Sequence, residues 1–169
     1  INGRIEKIDF DYEKKNQIEI IDQSETINRF NNNNSLSDLN TAFTNKSFKI
    51  VVKKGYQLEK PLIIYHTTNS NIWSKNINLR LDFEIEKDSS LRLIDLFNDT
   101  SEKNFLNIFY NFDLKDNAIL KNYKVDKFEN KNIKYSYNNI DQEKNSISET
   151  FILSSGSKFF KNEINCNLK

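Results

Sequence analysis

The sequence is poor in several residues that carry chemistry or bend the backbone. Its 169 residues include one cysteine, one histidine, one proline, three glycines and no methionine. A single cysteine excludes an intrachain disulfide, which fits a reducing compartment and favours a cytoplasmic location. The scarcity of glycine also argues against a β-sandwich of many short hairpins, which would need a turn every 8–12 residues or so.

The sequence also lacks an excess of one charge and any long apolar run. Its 25 Lys and Arg residues nearly balance its 24 Asp and Glu residues, leaving a net charge of +1. Nucleic-acid binders normally carry a clustered basic excess, so we expect no nucleic-acid partner. No stretch approaches the ~20 apolar residues of a membrane span, so we expect a soluble chain without a membrane contact. Because 37% of residues are apolar and 12% aromatic, the chain should still fold.

Motifs of common catalytic sites are missing as well. The chain has no Gly-x-Ser-x-Gly motif, no Cys–His pairing motif and no glycine-rich phosphate loop. Asp82 and Glu84 are neighbours on one face of a predicted strand, as acid–base carboxylates can be. Arg80 shares that face, so we interpret it as a solvated charged surface. We therefore predict no catalytic residue.

What the chain does contain is one short helical pattern followed by strand patterns. Ile18, Ile20 and Ile21 indicate a short strand, and the polar tract of residues 31–34 indicates a loop. A helix over residues 35–43 follows, capped by Ser35 or Ser37. Its predicted apolar face consists of Leu36, Leu39, Ala42 and Phe43. Beyond residue 46 the period becomes two, most clearly where apolar residues alternate with polar ones over residues 77–86.

An internal repeat determines our choice of architecture. Leu91 and Leu120 are 29 residues apart, as are Ile94 and Tyr123, and Phe151 follows Tyr123 after 28. Repeats of this length are typical of a solenoid, in which each coil covers the edge of its neighbour. Polar turns at residues 88–90 and 115–118 suit its corners. We predict an all-β fold, a right-handed parallel β-helix with one short helix near residues 35–43.

The two ends of the chain predict a fragment of a longer protein. It begins at Ile1 and ends on an alternating strand pattern over residues 164–169. We divide it into an N-terminal strand and loop segment, residues 1–34, and a partial β-helix core, residues 35–169, truncated at its C-terminus. An open solenoid edge presents unpaired backbone groups, so the isolated fragment is expected to self-associate.

Four segments in order carry a family resemblance. They are residues 39–43, residues 54–66, residues 116–125 and residues 151–165. Together they resemble the SufD scaffold subunits of the SufB/SufD family, which acts in iron–sulfur cluster assembly. The resemblance places this chain in the first part of the family's β-helix core.

The resemblance implies a non-catalytic scaffold subunit of the SUF machinery. It implies partners similar to SufB and to the SufC ATPase, an iron–sulfur cluster or iron handled by the full complex, and no cofactor bound by this fragment. Two alternatives remain: a β-helix enzyme acting on polysaccharide and a surface β-solenoid module. Both would favour export, and release of reducing sugar ends would favour the first.

Two residues are candidate metal ligands, Cys166 and His66. A thiolate can bind iron, but one cysteine cannot hold a cluster, and Cys166 is in phase with Ile164 and Leu168 on a predicted inward face. We therefore interpret it as a buried apolar residue. His66 has no His or Cys nearby at ligand spacing, so we interpret it as a strand-end residue bonded to backbone. No metal-binding or cofactor-binding residue is assigned.

Overall fold

The computed structural model describes residues 7–8, 14, 16–23, 34–44, 47–68, 75–99, 103–128 and 132–169. These residues form one helix, α1 (Ser35–Phe43), and ten strands. The strands are β1 (Ile18–Asp22), β2 (Ser47–Val52), β3 (Leu62–Thr68), β4 (Asn76–Ile85), β5 (Ser90–Asp99), β6 (Phe105–Leu114), β7 (Ile119–Phe128), β8 (Ile133–Gln142), β9 (Ile147–Ser155) and β10 (Phe159–Leu168).

Two stacks of parallel strands form a β-solenoid. The first sheet has the order β1-β2-β4-β6-β8-β10 and the second has the order β3-β5-β7-β9, so from β2 onward the chain alternates between them as it winds. Successive strands in each stack pair in parallel, except that β1 pairs antiparallel with β2. The β-solenoid predicted from the sequence is confirmed, as is the short strand at Ile18–Asp22. Two sheets of antiparallel hairpins are excluded for the described residues.

The pairing register reproduces the sequence repeat. Leu91 pairs with Leu120, Ile94 pairs with Tyr123, and Tyr123 pairs with Phe151. Equivalent residues of successive coils therefore stack directly on one another. The 28- and 29-residue steps are the lengths of single coils.

The interior of the first coils is filled by apolar columns. One column runs through Ile50, Phe83, Phe112 and Ile140, all at most 5% exposed. Phe83 and Phe112 stack with their ring centroids 4.8 Å apart. Burying a side chain of this size stabilises the fold by about 1.5–3 kcal/mol, so these columns hold successive coils in register.

The corners between coils use residues that tolerate a left-handed backbone. Asp88, Asn117 and Asn145 occupy equivalent corners with φ of 60°, 57° and 57°. Asp and Asn adopt this conformation more readily than most residues because their short side chains bond locally. Asn117 Nδ2 donates to Asp88 Oδ1 at 2.7 Å, and Asn145 Nδ2 donates to Asn117 Oδ1 at 3.3 Å. The two polar turns predicted as solenoid corners are confirmed.

The helix covers the outer side of the first sheet, but not as predicted. Residues Ser35–Phe43 are helical, whereas the N-cap is Asn34, whose side chain accepts from the backbone N–H of Leu36 and Ser37. The predicted cap at Ser35 or Ser37 is therefore wrong.

The predicted apolar face of the helix is only partly right: Leu36 packs on the sheet, but Phe43 is 60% exposed while Ser37 and Asn40 are buried. Asn40 Nδ2 donates to the carbonyl oxygens of Leu79 and Asn107, at 3.2 and 2.7 Å. A polar helix face docks here because it satisfies backbone groups of the sheet.

Aromatic residues lie beneath this helix on the outer side of the sheet. Phe109, Tyr135 and Tyr137 form a second buried cluster, against which Leu36 and Phe105 pack. Phe109 interrupts an otherwise polar series in the sequence, and this cluster explains it. The first sheet is therefore covered on both faces over this region.

Candidate functional site

The second sheet turns charged side chains into the solenoid. Asp95 on β5 and Lys124 on β7 are paired neighbours that face inward, 4% and 2% exposed. Asp126 on β7 and Lys134 on β8 are equally buried, at 4% and 2%. We call these residues and their contacts the buried polar cluster. Buried charges are costly unless they are paired, so the contacts that each charged group makes indicate what the cluster does.

Asp95 is the centre of the cluster. His66 Nε2 lies 2.6 Å from Asp95 Oδ1, and Tyr110 donates its hydroxyl to Asp95 Oδ2 at 2.5 Å. Lys124 Nζ lies 4.0 Å from Asp95 Oδ2 and 3.1 Å from the centroid of the Tyr110 ring. Side chains from two neighbouring strands of the second sheet, β3 and β7, and from β6 of the first sheet thus converge on the Asp95 carboxylate.

The cluster continues toward the last strand. Lys124 Nζ donates to Asn138 Oδ1, and Asn138 Nδ2 donates to Asn162 Oδ1 at 2.9 Å. Lys134 Nζ donates to Asp126 Oδ1 at 2.6 Å, forming a second buried pair. Polar side chains therefore replace apolar ones in the later coils.

Burial and neighbouring charges act on the ionisation of the cluster. Burial alone would raise the pKa of Asp95, because it disfavours the ionised carboxylate. The interactions with His66, Lys124 and Lys134 outweigh this effect and hold the pKa well below its ordinary value. Burial lowers the pKa of Lys124 to about 7, despite the opposing attraction of Asp95. Burial and the Asp95 charge raise the pKa of Tyr110 well above its ordinary range. The cations and carboxylates of this cluster contact one another, which suits a structural network in the coil interior.

His66 is part of this cluster, which corrects its interpretation from the sequence. It lies within β3, not at the end of a strand, and its partner is the Asp95 side chain instead of backbone. Its ring also stacks on Phe97, with centroids 5.2 Å apart. The sequence offered no signal for this pair because His66 and Asp95 lie 29 residues apart on neighbouring coils.

Cys166 is exposed, so its interpretation as a buried apolar residue is wrong. The face of the strand on which it lies was predicted correctly, because Cys166 pairs with Ile140 and continues the inward column of the first sheet. The side chain is exposed because no described strand of the second sheet lies opposite β10. Cys166 and His66 are not brought together, since His66 lies in β3 and Cys166 in β10.

The charged face of β4 is less solvated than predicted. Arg80 is only 2% exposed, and its Nε lies 3.4 Å from Asp82 Oδ1. Burial raises the pKa of Asp82, against the opposing effects of Arg80 and Lys49. Glu84 pairs with Lys49 at 2.5 Å. Each carboxylate of this strand is thus engaged by a cation, an arrangement that suits a structural surface.

The edge of β10 is the first candidate interaction surface. β10 pairs with β8 on one side, and no described strand pairs with its other side. Its Phe159, Ile164 and Leu168 are 55%, 49% and 83% exposed. Unpaired backbone groups beside exposed apolar residues form a template for a further strand.

The outer side of the second sheet is the second candidate interaction surface. Two neighbouring columns of apolar residues run across its four strands, and we call them the outer stripe. The first column consists of Ile63, Ile94, Tyr123 and Phe151. The second column consists of Tyr65, Leu96, Val125 and Leu153. Tyr65, Phe151 and Leu153 are 69%, 56% and 54% exposed, so the stripe reaches solvent at both ends.

The described residues offer no recognisable metal centre. Within the described ranges, no three His, Cys, Asp or Glu side chains come together in a way that could hold a metal ion. In the same ranges, no helix has the length and apolar character to cross a membrane.

Comparison with known proteins tests the resemblance to the SufB/SufD family. A family model described as "SUF system FeS cluster assembly, SufBD core domain" matches residues 65–169, more than half of the chain. No curated protein matches the chain. The matched region spans β4 to β10 completely and includes Asp95, Lys124 and Cys166. The chain belongs to the SufBD core domain family of the SUF system for iron–sulfur cluster assembly.

Proposed function

We propose that this chain is a SufD-like, non-catalytic scaffold of cytoplasmic iron–sulfur cluster assembly. It acts by forming a complex with a SufB-like subunit and a SufC-like ATPase. The observation that supports this proposal is the family match over residues 65–169, which covers most of the solenoid. The cluster or iron is handled by the assembled complex, and this chain holds no cofactor of its own.

The described surfaces are compatible with such a role. The buried polar cluster is closed off inside the coils, whereas β10 and the outer stripe present apolar residues to solvent. Contiguous exposed apolar surface is typical of protein–protein contact sites. Binding to other proteins is therefore the activity that these surfaces support best.

Co-expression of the subunits tests the proposal. The tagged chain is produced with the SufB-like and SufC-like subunits of the same organism, and the complex is analysed by size-exclusion chromatography with light scattering. We expect all three proteins to elute together, and a tagged β-solenoid of another family serves as the control bait. Elution of the chain without either subunit, or release of reducing sugar ends from polysaccharide, would contradict the proposal.

A further inference from the structure

We infer that the outer stripe is the docking site for an amphipathic helix with acidic flanks, supplied by another subunit of the assembly. The helix lies across the four strands of the second sheet, parallel to the solenoid axis. This inference rests on the proposed function, because it requires a partner subunit.

In the same chain a helix already crosses the strands of the other sheet, although α1 contacts that sheet through buried Asn40 as well as through Leu36. Asn34 Nδ2 donates to the Tyr135 hydroxyl at 2.6 Å on β8, and Asn40 Nδ2 donates to the Leu79 carbonyl on β4. α1 therefore crosses the strands instead of running along them. Beneath it, Phe109 and Tyr135 are only 1% and 2% exposed. The outer stripe is the corresponding apolar surface of the second sheet, and it lacks such a cover among the described residues.

The dimensions of the stripe fit one helix. Four strands about 4.8 Å apart give a length of roughly 14–19 Å, and two columns about 7 Å apart give a width near 10–12 Å with their side chains. A helix is about 10–12 Å across and rises 1.5 Å per residue, so roughly 10–13 residues would cover the stripe.

A second copy of this chain fits less well than a helix. From the spacing of its strands and columns, the outer stripe has an area on the order of 250 Å². A stable complex between two such surfaces alone needs about 800 Å² on each side. A helix belonging to a subunit that is also held elsewhere does not need the stripe to supply the whole affinity.

The outward-facing residues beside the two columns form the rims of the stripe, and their charges indicate the charge that a partner helix should carry. Arg92, Lys121 and Glu149 flank one column, and Asn98, Lys127 and Ser155 flank the other. Lys121 pairs with Glu149 at 3.3 Å, and beside the first column the two cations, Arg92 and Lys121, outnumber this single carboxylate. An apolar centre with a polar rim is typical of protein interfaces, and a basic rim favours acidic residues beside the apolar face of the partner.

Photo-crosslinking in the co-expressed complex tests the inference. Benzoylphenylalanine replaces Tyr65 or Leu153, which lie in one column at opposite ends of the stripe, about 14 Å apart. We expect both variants to crosslink to one segment of a partner subunit, at positions about nine or ten residues apart, as a helix requires. A partner strand would instead place them about four residues apart.

Phe43 supplies the matched control, since it is an aromatic residue 60% exposed on α1, away from the stripe. Crosslinking at positions 65 and 153 no stronger than at 43, strand spacing, or crosslinks to a second copy of this chain would each overturn the inference. If the complex co-elutes while the stripe gives no crosslink, only the inference fails. If no complex forms, the proposed function fails and the inference with it.

Discussion

Lys124 illustrates the cost of placing charge inside a solenoid. The residue is 2% exposed, and its Nζ contacts Asp95, the Tyr110 ring and Asn138. These contacts replace only part of the hydration that burial removes, and Lys134 adds repulsion. The pKa of Lys124 therefore falls from 10.5 to about 7. We therefore expect Lys124 to make the stability of the coil depend on pH above neutrality.

The sign of that dependence follows from proton binding. Between about pH 7 and pH 10.5 the unfolded chain holds a proton on Lys124 that the folded chain has released. The free energy of unfolding should therefore rise with pH in this window, by at most about 1.4 kcal/mol per pH unit. Urea titrations from pH 7 to pH 9.5 should show this rise in the wild type and its loss in Lys124→Met.

A matched lysine on the same strand provides the control. Lys121 faces outward from β7 and pairs with Glu149, so Lys121→Met should keep the wild-type slope. A constant difference in the free energy of unfolding between the wild type and Lys124→Met across this range would contradict the prediction.

At the scale of elements, the turn between β9 and β10 depends on a glycine. Gly156 has φ of +80°, and a Cβ there would lie 1.7 Å from the carbonyl oxygen of Phe128. The backbone of one coil thus approaches the next too closely for any side chain. The chain can step from β9 into β10 at this point only with glycine.

Gly55 allows the steric effect to be separated from the backbone effect. It has φ of +72°, but a Cβ there would meet no described atom within 4 Å. Gly55→Ala should lower the free energy of unfolding by about 1–2 kcal/mol, because a non-glycine residue is strained in a left-handed backbone. Gly156→Ala should cost more than about 3 kcal/mol because strain and clash add. Urea unfolding measures both, and equal costs would show that the turn relaxes freely.

At the scale of the whole molecule, we expect the chain to associate through the edge of β10. The inward columns of the first sheet end there on exposed Ile164, Cys166 and Leu168, because no described strand lies opposite. Self-association of this 169-residue chain through its open edge stays a prediction. A positive charge at such an edge opposes pairing with another strand.

Light scattering over a concentration series tests this prediction. The apparent mass of the wild-type chain should rise with concentration, and Leu168→Lys should reduce the rise because it places charge on the open edge. Phe43→Lys makes the same charge change on α1, at a residue 60% exposed, and should leave the rise intact. A monodisperse wild-type monomer at high concentration would refute self-association.

The candidate surfaces could be predicted only in part. The open edge was expected from the alternating pattern at the end of the chain, and the phase of Cys166 was correct. The buried polar cluster was missed because its members come from β3, β5, β6, β7 and β8 and meet only when coils stack. The polar face of α1 was missed because its partners are backbone carbonyls of the sheet, which leave no trace in hydrophobic periodicity.

The sequence by itself determined the winding of this protein. The two-residue period, the 28- and 29-residue steps and the polar corners can all be read along the chain. The steps reappear in the pairing register, and the corners reappear as turns with a left-handed backbone. Only the tertiary structure decided which side of the second sheet faces inward. β5 carries apolar residues on both of its faces, so its alternation specifies no direction. Leu91, Leu93 and Phe97 occupy the interior, and their packing turns Asp95 inward while Ile94 and Leu96 join the outer stripe.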